Sequence, residues 1–157
     1  MMNSKEQSNK PSSKIFKIIA IVFFIFGFLG FCDAAYLTIK HYQGAIPPCS
    51  FVDGCESVLT SDYSAIAGVP ISLLGMGYYF SVCILAFAYL DTKKQQFLRT
   101  AAVLSFVGFA ISLFLVYLQV FVIRYICLYC MWSATTSAVL FLAGITVFKK
   151  RSAVVGV

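Results

Sequence analysis

From Ala101 to Phe148 the chain carries no charged side chain except Arg124. Drawn out as one helix, this run would be roughly 70 Å long, while the hydrocarbon core of a bilayer is about 30 Å thick. The run must therefore fold back once. Arg124 marks the reversal, because a guanidinium belongs at the membrane surface rather than at its centre. Two spans result, one over 101–122 and one over 126–148.

The rest of the chain repeats the pattern. Residues 15–39 form a first apolar span, with charges only at Lys17 near its start and Asp33 near its end. Residues 69–90 form an uncharged span behind Gly68 and Pro70, a favourable helix start. The whole is 61% hydrophobic and 11% charged, where a soluble domain is nearer a quarter charged. The expected fold class is all-α and integral to the membrane: a four-transmembrane-helix bundle, residues 15–151, between polar tails at 1–14 and 152–157. The tail 1–14 reads as disordered, and Asp91 to Thr100 as a short charged turn. The first span exceeds the 7–15-residue apolar region of a cleaved signal. Leu29-Gly30-Phe31-Cys32 is no lipoprotein signal, because Phe31 stands where a small residue is required. The segment reads as a retained anchor.

One long polar connection remains, the loop 40–68. It holds His41, Pro47-Pro48, Cys49, Gly54 and Cys55. Its apolar residues Val58, Leu59 and Ile66 predict a short interfacial helix over Glu56 to Ile66, started by Asp53 with Glu56 three residues on.

The net charge of +6 invites a nucleic-acid reading, which the placement of the charges excludes. With the N-terminus in the cytoplasm, the inner side holds Lys5, Lys10, Lys14, Lys17, Lys93, Lys94, Arg99, Lys149, Lys150 and Arg151. Only Lys40 and Arg124 fall outside, which is the positive-inside pattern. Both termini are then cytoplasmic. The Cys49/Cys55 loop and the Cys127/Cys130 pair share the outer side, an oxidising compartment.

Cys127-Leu128-Tyr129-Cys130 opens the fourth span. At a helix start, unpaired N–H groups and the positive end of the dipole favour a thiolate, the species that attacks disulfides. Arg124 adds a positive charge nearby. Two further readings stand beside a redox pair. Cys49 and Cys55 also suit a structural disulfide pinning the loop. Zinc on the four thiols, or on three and His41, is the metal reading; oxidising surroundings weigh against it, and no metal is expected. Cys32 and Cys83 lie within spans and read as packing residues. Asp33, an ionisable group inside a span, is a functional candidate. Gly27, Gly30, Gly75, Gly77 and Gly108 suit close helix approach.

These motifs together resemble the vitamin K epoxide reductase family, in its bacterial form without a fused thioredoxin-like domain. The matching stretches lie between about Gly30 and Ala134. They are Asp33-Ala34-Ala35-Tyr36-Leu37-Thr38 with His41-Tyr42, Cys49, Cys55-Glu56-Ser57-Val58-Leu59-Thr60-Ser61, Gly68-Val69-Pro70-Ile71-Ser72-Leu73-Leu74-Gly75, and Cys127-Leu128-Tyr129-Cys130. The resemblance implies a four-helix bundle holding a quinone, ubiquinone or menaquinone, at its outer end. It makes Cys130 the thiol nearest the quinone and Cys127 its partner. Cys55 would form the transient bridge to Cys127, and Cys49 would meet an external thioredoxin-fold (DsbA-like) protein. Ser61, Tyr63 and Ser64 would line the quinone pocket. Ala134 stands where the animal enzymes carry Tyr, and Ser64 where they carry Asn. The resemblance thus favours disulfide generation at the bacterial cytoplasmic membrane over epoxide reduction. Two other readings are the DsbB type of quinone-linked oxidase, in which the order of the two pairs is reversed, and a non-enzymatic scaffold with structural disulfides.

Overall fold

The computed structural model describes residues 10–44, 55–61, 63–66 and 68–155. Four long helices run through it: α1 Lys10–Tyr42, α3 Ile71–Thr92, α4 Gln95–Tyr117 and α5 Leu128–Val155. A π-helical segment, Leu118–Ile123, continues α4. A short helix α2, Cys55–Leu59, precedes a two-residue hairpin in which β1 Ala65–Ile66 pairs antiparallel with β2 Val69–Pro70. All four long helices are long and apolar enough to cross a membrane. The protein is a multi-pass membrane protein.

The helices pack through narrow seams. On α3 the buried residues are Tyr79, Val82, Ala86 and Tyr89, spaced three and four apart, so one stripe faces inward. Phe16, Ala20, Phe23, Ala34 and Leu37 supply the stripe on α1, and Leu98, Ala101, Ala102 and Ser105 that on α4. The outward faces carry Ile18, Phe28, Phe80, Phe87, Phe114 and Phe121, all exposed. Such a surface suits lipid, which solvates apolar side chains at no cost.

Small residues set the closest approaches. A Cβ on Gly30 would overlap the Tyr79 ring, and one on Gly108 the Tyr78 ring. Gly27 and Gly144 are also tight: a Cβ on Gly144 would come within 2.6 Å of Ser105 Oγ. Gly75 and Gly77 leave more room: a Cβ on Gly75 would make an ordinary 3.8 Å contact with Ala34 Cβ of α1, and Gly77, against expectation, faces open space.

Three boundaries also differ from the sequence expectation. Helix α1 begins by Lys10, within the stretch read as a disordered tail. The charged turn shrinks to Lys93-Lys94, because Lys93 adopts a left-handed conformation (φ 56°) and its N–H caps α3 on Tyr89 O at 2.8 Å. The loop helix stops at Leu59 instead of Ile66. Ser61 Oγ donates to Val58 O at 2.7 Å at that end, and the chain then turns at Gly68 (φ 81°) into the hairpin. Pro70 caps α3, and the Ile71 N–H reaches back to Ser64 O at 3.0 Å.

Adjacent helices are antiparallel. The tail of α1, the start of α3, the π-helical segment, the start of α5 and the α2–hairpin loop therefore share one end of the bundle. Cys55 and the Cys127/Cys130 pair are at that end.

Candidate redox site

Between the π-helical segment and α5 the chain reverses in four residues, 124–127. Arg124 takes the sharp step with φ 60° and is exposed. Cys127 then occupies the N-cap of α5: its carbonyl accepts the Met131 N–H at 3.0 Å. The side chain of an N-cap residue faces the orphan N–H groups of the first turn.

That position sets the chemistry of Cys127. A hydrogen bond from the Cys130 thiol, helped by the backbone N–H groups of Cys130 and Tyr129, lowers the Cys127 thiol from 9.0 to about 7, although burial acts the other way. The sequence had assigned part of this effect to Arg124; the hydrogen bonds carry it instead. Both cysteines of the pair are free thiols. Cys127 therefore gives up its proton to become the nucleophilic thiolate more readily than an ordinary cysteine.

Cys55 is at the start of α2 and is disulfide-bonded. Cys55 and Cys127 are 1% and 0% exposed and belong to one cluster with Val58, flanked by Leu59, Ile123, Tyr129 and Cys130. Two sulfurs from distant parts of the sequence are thereby enclosed together. Cys49 falls outside the described residues.

Gln119, in the π-helical segment, went unnoticed in the sequence. It is 4% exposed, and its Oε1 accepts the Cys127 N–H at 3.2 Å. Its side chain also hydrogen-bonds Cys130. The extra residue per turn of a π-helix rotates side chains out of α-helical register, and such segments recur at functional sites. Tyr79 is a second addition. Its hydroxyl contacts Ser133 O at 2.9 Å, Ser133 Oγ at 2.8 Å and Ser137 Oγ at 3.0 Å, tying α3 to the first turns of α5. The Tyr36 ring of α1 lies 5.5 Å from that of Tyr129, inside the motif.

Of the residues expected at a quinone pocket, Ser61 and Ser64 are half-buried in the loop that follows α2, and Tyr63 is exposed at 51%. Cys32 and Cys83 lie apart from the pair; Cys83 Sγ approaches Phe24 O at 3.8 Å. His41 is exposed and edge-on to Tyr42 at 5.8 Å. Among the described residues, no three His, Cys, Asp or Glu side chains gather to hold a metal.

The sequence model of the vitamin K epoxide reductase family matches residues 21–145, well over half of the chain. No curated protein matches closely enough to count as a relative. The chain belongs to the vitamin K epoxide reductase family, whose members are quinone-dependent thiol–disulfide oxidoreductases of the membrane, and it is an enzyme of that kind.

Proposed function

We propose that this member of the vitamin K epoxide reductase family reoxidises a thioredoxin-fold, DsbA-like protein outside the bacterial cytoplasmic membrane and passes the electrons to ubiquinone or menaquinone. The observation that carries the reading is the enclosure of Cys55 with Cys127 in one buried cluster. Such an arrangement suits exchange between a loop pair and a helix pair. Cys55 is disulfide-bonded, and the relay takes Cys49 and Cys55 as the loop pair.

The relay runs by successive thiolate attacks. A partner thiolate opens the Cys49–Cys55 disulfide at Cys49. The partner's second thiolate resolves that mixed disulfide and leaves with a disulfide of its own. Cys55 then attacks Cys127 in the oxidised Cys127–Cys130 pair, and Cys130 leaves as a thiolate. Cys49 attacks Cys55 in turn, releasing Cys127. The loop disulfide is restored and the helix pair holds two electrons. A quinone supplies a two-electron, two-proton acceptor soluble in the bilayer. The residues fit one: Cys130 is half-buried in the first turn of a membrane span, beside the rings of Tyr129 and Tyr36. Thiols reach the relay from the aqueous end, through the loop, and the acceptor from the lipid side. Ser61, Tyr63 and Ser64 are the polar groups of the loop nearest this entrance in our reading.

The orientation places both termini in the cytoplasm. Ten of the twelve basic residues, all but Lys40 and Arg124, then lie on the inner side.

The test is trapping. In a Cys49→Ser, Cys130→Ser double variant neither thiol that could resolve it remains, so a disulfide between Cys55 and Cys127 is trapped once formed. Peptide mass spectrometry of the non-reduced protein should show Cys55 joined to Cys127. A folded double variant that forms no Cys55–Cys127 bridge in a dithiol–disulfide buffer would sink the relay.

A further inference from the structure

Asp33 takes no part in these exchange steps, yet the helix register sets it beside them. One turn before it on α1, Gly30 lies against the ring of Tyr79, whose hydroxyl bonds Ser133 and Ser137 of α5. One turn after it, the Tyr36 ring meets Tyr129. Cys130 lies between Tyr129 and Ser133, so Asp33 stands level with the cysteine pair. Its Oδ2 is buried and has no hydrogen-bond partner among the described residues. A native structure rarely leaves such an atom unused. Its charge reaches Cys127, where it opposes the thiolate.

We propose that Asp33 is the proton acceptor of the cysteine pair, taking the Cys127 proton as the disulfide forms and releasing it toward the quinone. The inference rests on the functional reading above. In the oxidising step the two S–H bonds of Cys127 and Cys130 break and one S–S bond forms. Two electrons leave to the quinone. One proton follows from Cys130 and the other from Cys127 by way of Asp33, which returns to its carboxylate as quinol departs. Proton transfer and thiolate formation favour each other here, because a protonated Asp33 no longer repels the Cys127 thiolate.

The groups around Asp33 are few. Tyr79 comes from α3; Cys127, Tyr129 and Cys130 come from the turn and the start of α5; Cys32 and Tyr36 share its own helix. Lys40 sits over the Tyr36 ring at 5.8 Å, and Arg124 is exposed on the turn. None of these is a second carboxylate.

The test is Asp33→Asn, which keeps the size and removes the charge. First, alkylation of Cys127 is followed against pH in the fully reduced, full-length protein without quinone, resolved by peptide mass spectrometry. The midpoint, unlike the plateau rate, does not depend on how accessible the buried sulfur is. It should move down by up to about one pH unit as the opposing charge disappears. Second, quinone-dependent thiol oxidation by the same variant should fall roughly tenfold or more, the lower range of a lost proton-transfer group. Asp33→Glu should restore both values toward the parent, which also shows that the site tolerates substitution. A role confined to packing leaves the Cys127 midpoint where it is in the parent. An unmoved or raised midpoint in the Asn variant overturns the proposal, and so does undiminished turnover. If the midpoint moves but the parent itself reduces no quinone, the functional reading falls and the coupling of Asp33 to Cys127 stands.

Discussion

Gln119 holds the turn that presents Cys127. Gln119→Leu keeps nearly the same volume in a buried site but removes the acceptor of the Cys127 N–H, bonded at 3.2 Å, and the hydrogen bond to Cys130. The N–H is enclosed with a residue that is 0% exposed, so water cannot replace the lost partner. A buried backbone donor left unsatisfied costs about 1–3 kcal/mol. That cost falls on the reversal and on the first turn of α5, whose Met131 N–H is bonded to Cys127 O at 3.0 Å. Local opening there should become easier by roughly 5- to 150-fold, the same free energy expressed as an equilibrium constant. Amide hydrogen exchange of the reduced protein in micelles measures it. Met131 should lose protection by that factor relative to Leu140, which is 0% exposed in mid-helix. Gln119→Glu, which retains an oxygen acceptor, should protect Met131 nearly as well as the parent. Unchanged Met131 protection in the Leu variant would refute the idea that this amide fixes the turn.

Two other outcomes follow from the packing and the electrostatics. The Cys127 alkylation midpoint should lie near pH 7; Cys130→Ala, lacking the thiol donor, should raise it toward 9.0, with Cys130→Ser between them. Because the folded value lies below the unfolded one, thiolate stabilisation of the reduced protein is fully present above about pH 9 and is lost as pH falls through about 7, so its thermal stability should decline across that window. Gly30→Ala forces a methyl into the Tyr79 ring and should destabilise the bundle by about 1–3 kcal/mol, read as a lower melting temperature in detergent, whereas Gly77→Ala, facing open space, should be close to neutral.

Lipid made the architecture legible. The charge-free run around Arg124 fixed the number of crossings, because an apolar run has few lengths available in a bilayer, and Arg124 does occupy the reversal, with φ 60°. That one thiol of the Cys-x-x-Cys meets the orphan N–H groups of a helix start was legible too, while its identity as Cys127 at the N-cap came from where α5 begins, at Leu128. Gln119 was not. In the sequence it is a single polar residue in an apolar stretch, and only the π-helical register turns it onto the cysteines. Tyr79 read as one of many aromatics in spans; its value lies in a hydroxyl that meets Ser133 and Ser137, more than fifty residues away. The loop helix was drawn too long because Ile66 continued the apolar pattern of Val58 and Leu59. A residue beside a tight turn at Gly68 satisfies that pattern equally well as a strand.

The central claim is that electrons leave this protein from Cys130 to a quinone. Purified protein in detergent, supplied with a reduced thioredoxin-fold protein and a soluble quinone, should bleach the quinone absorbance and oxidise the partner in equal amounts. Cys130→Ser, folded by the same melting criterion, should do neither. Sustained turnover by the Ser variant, or no turnover by folded parent with any quinone, would contradict the account.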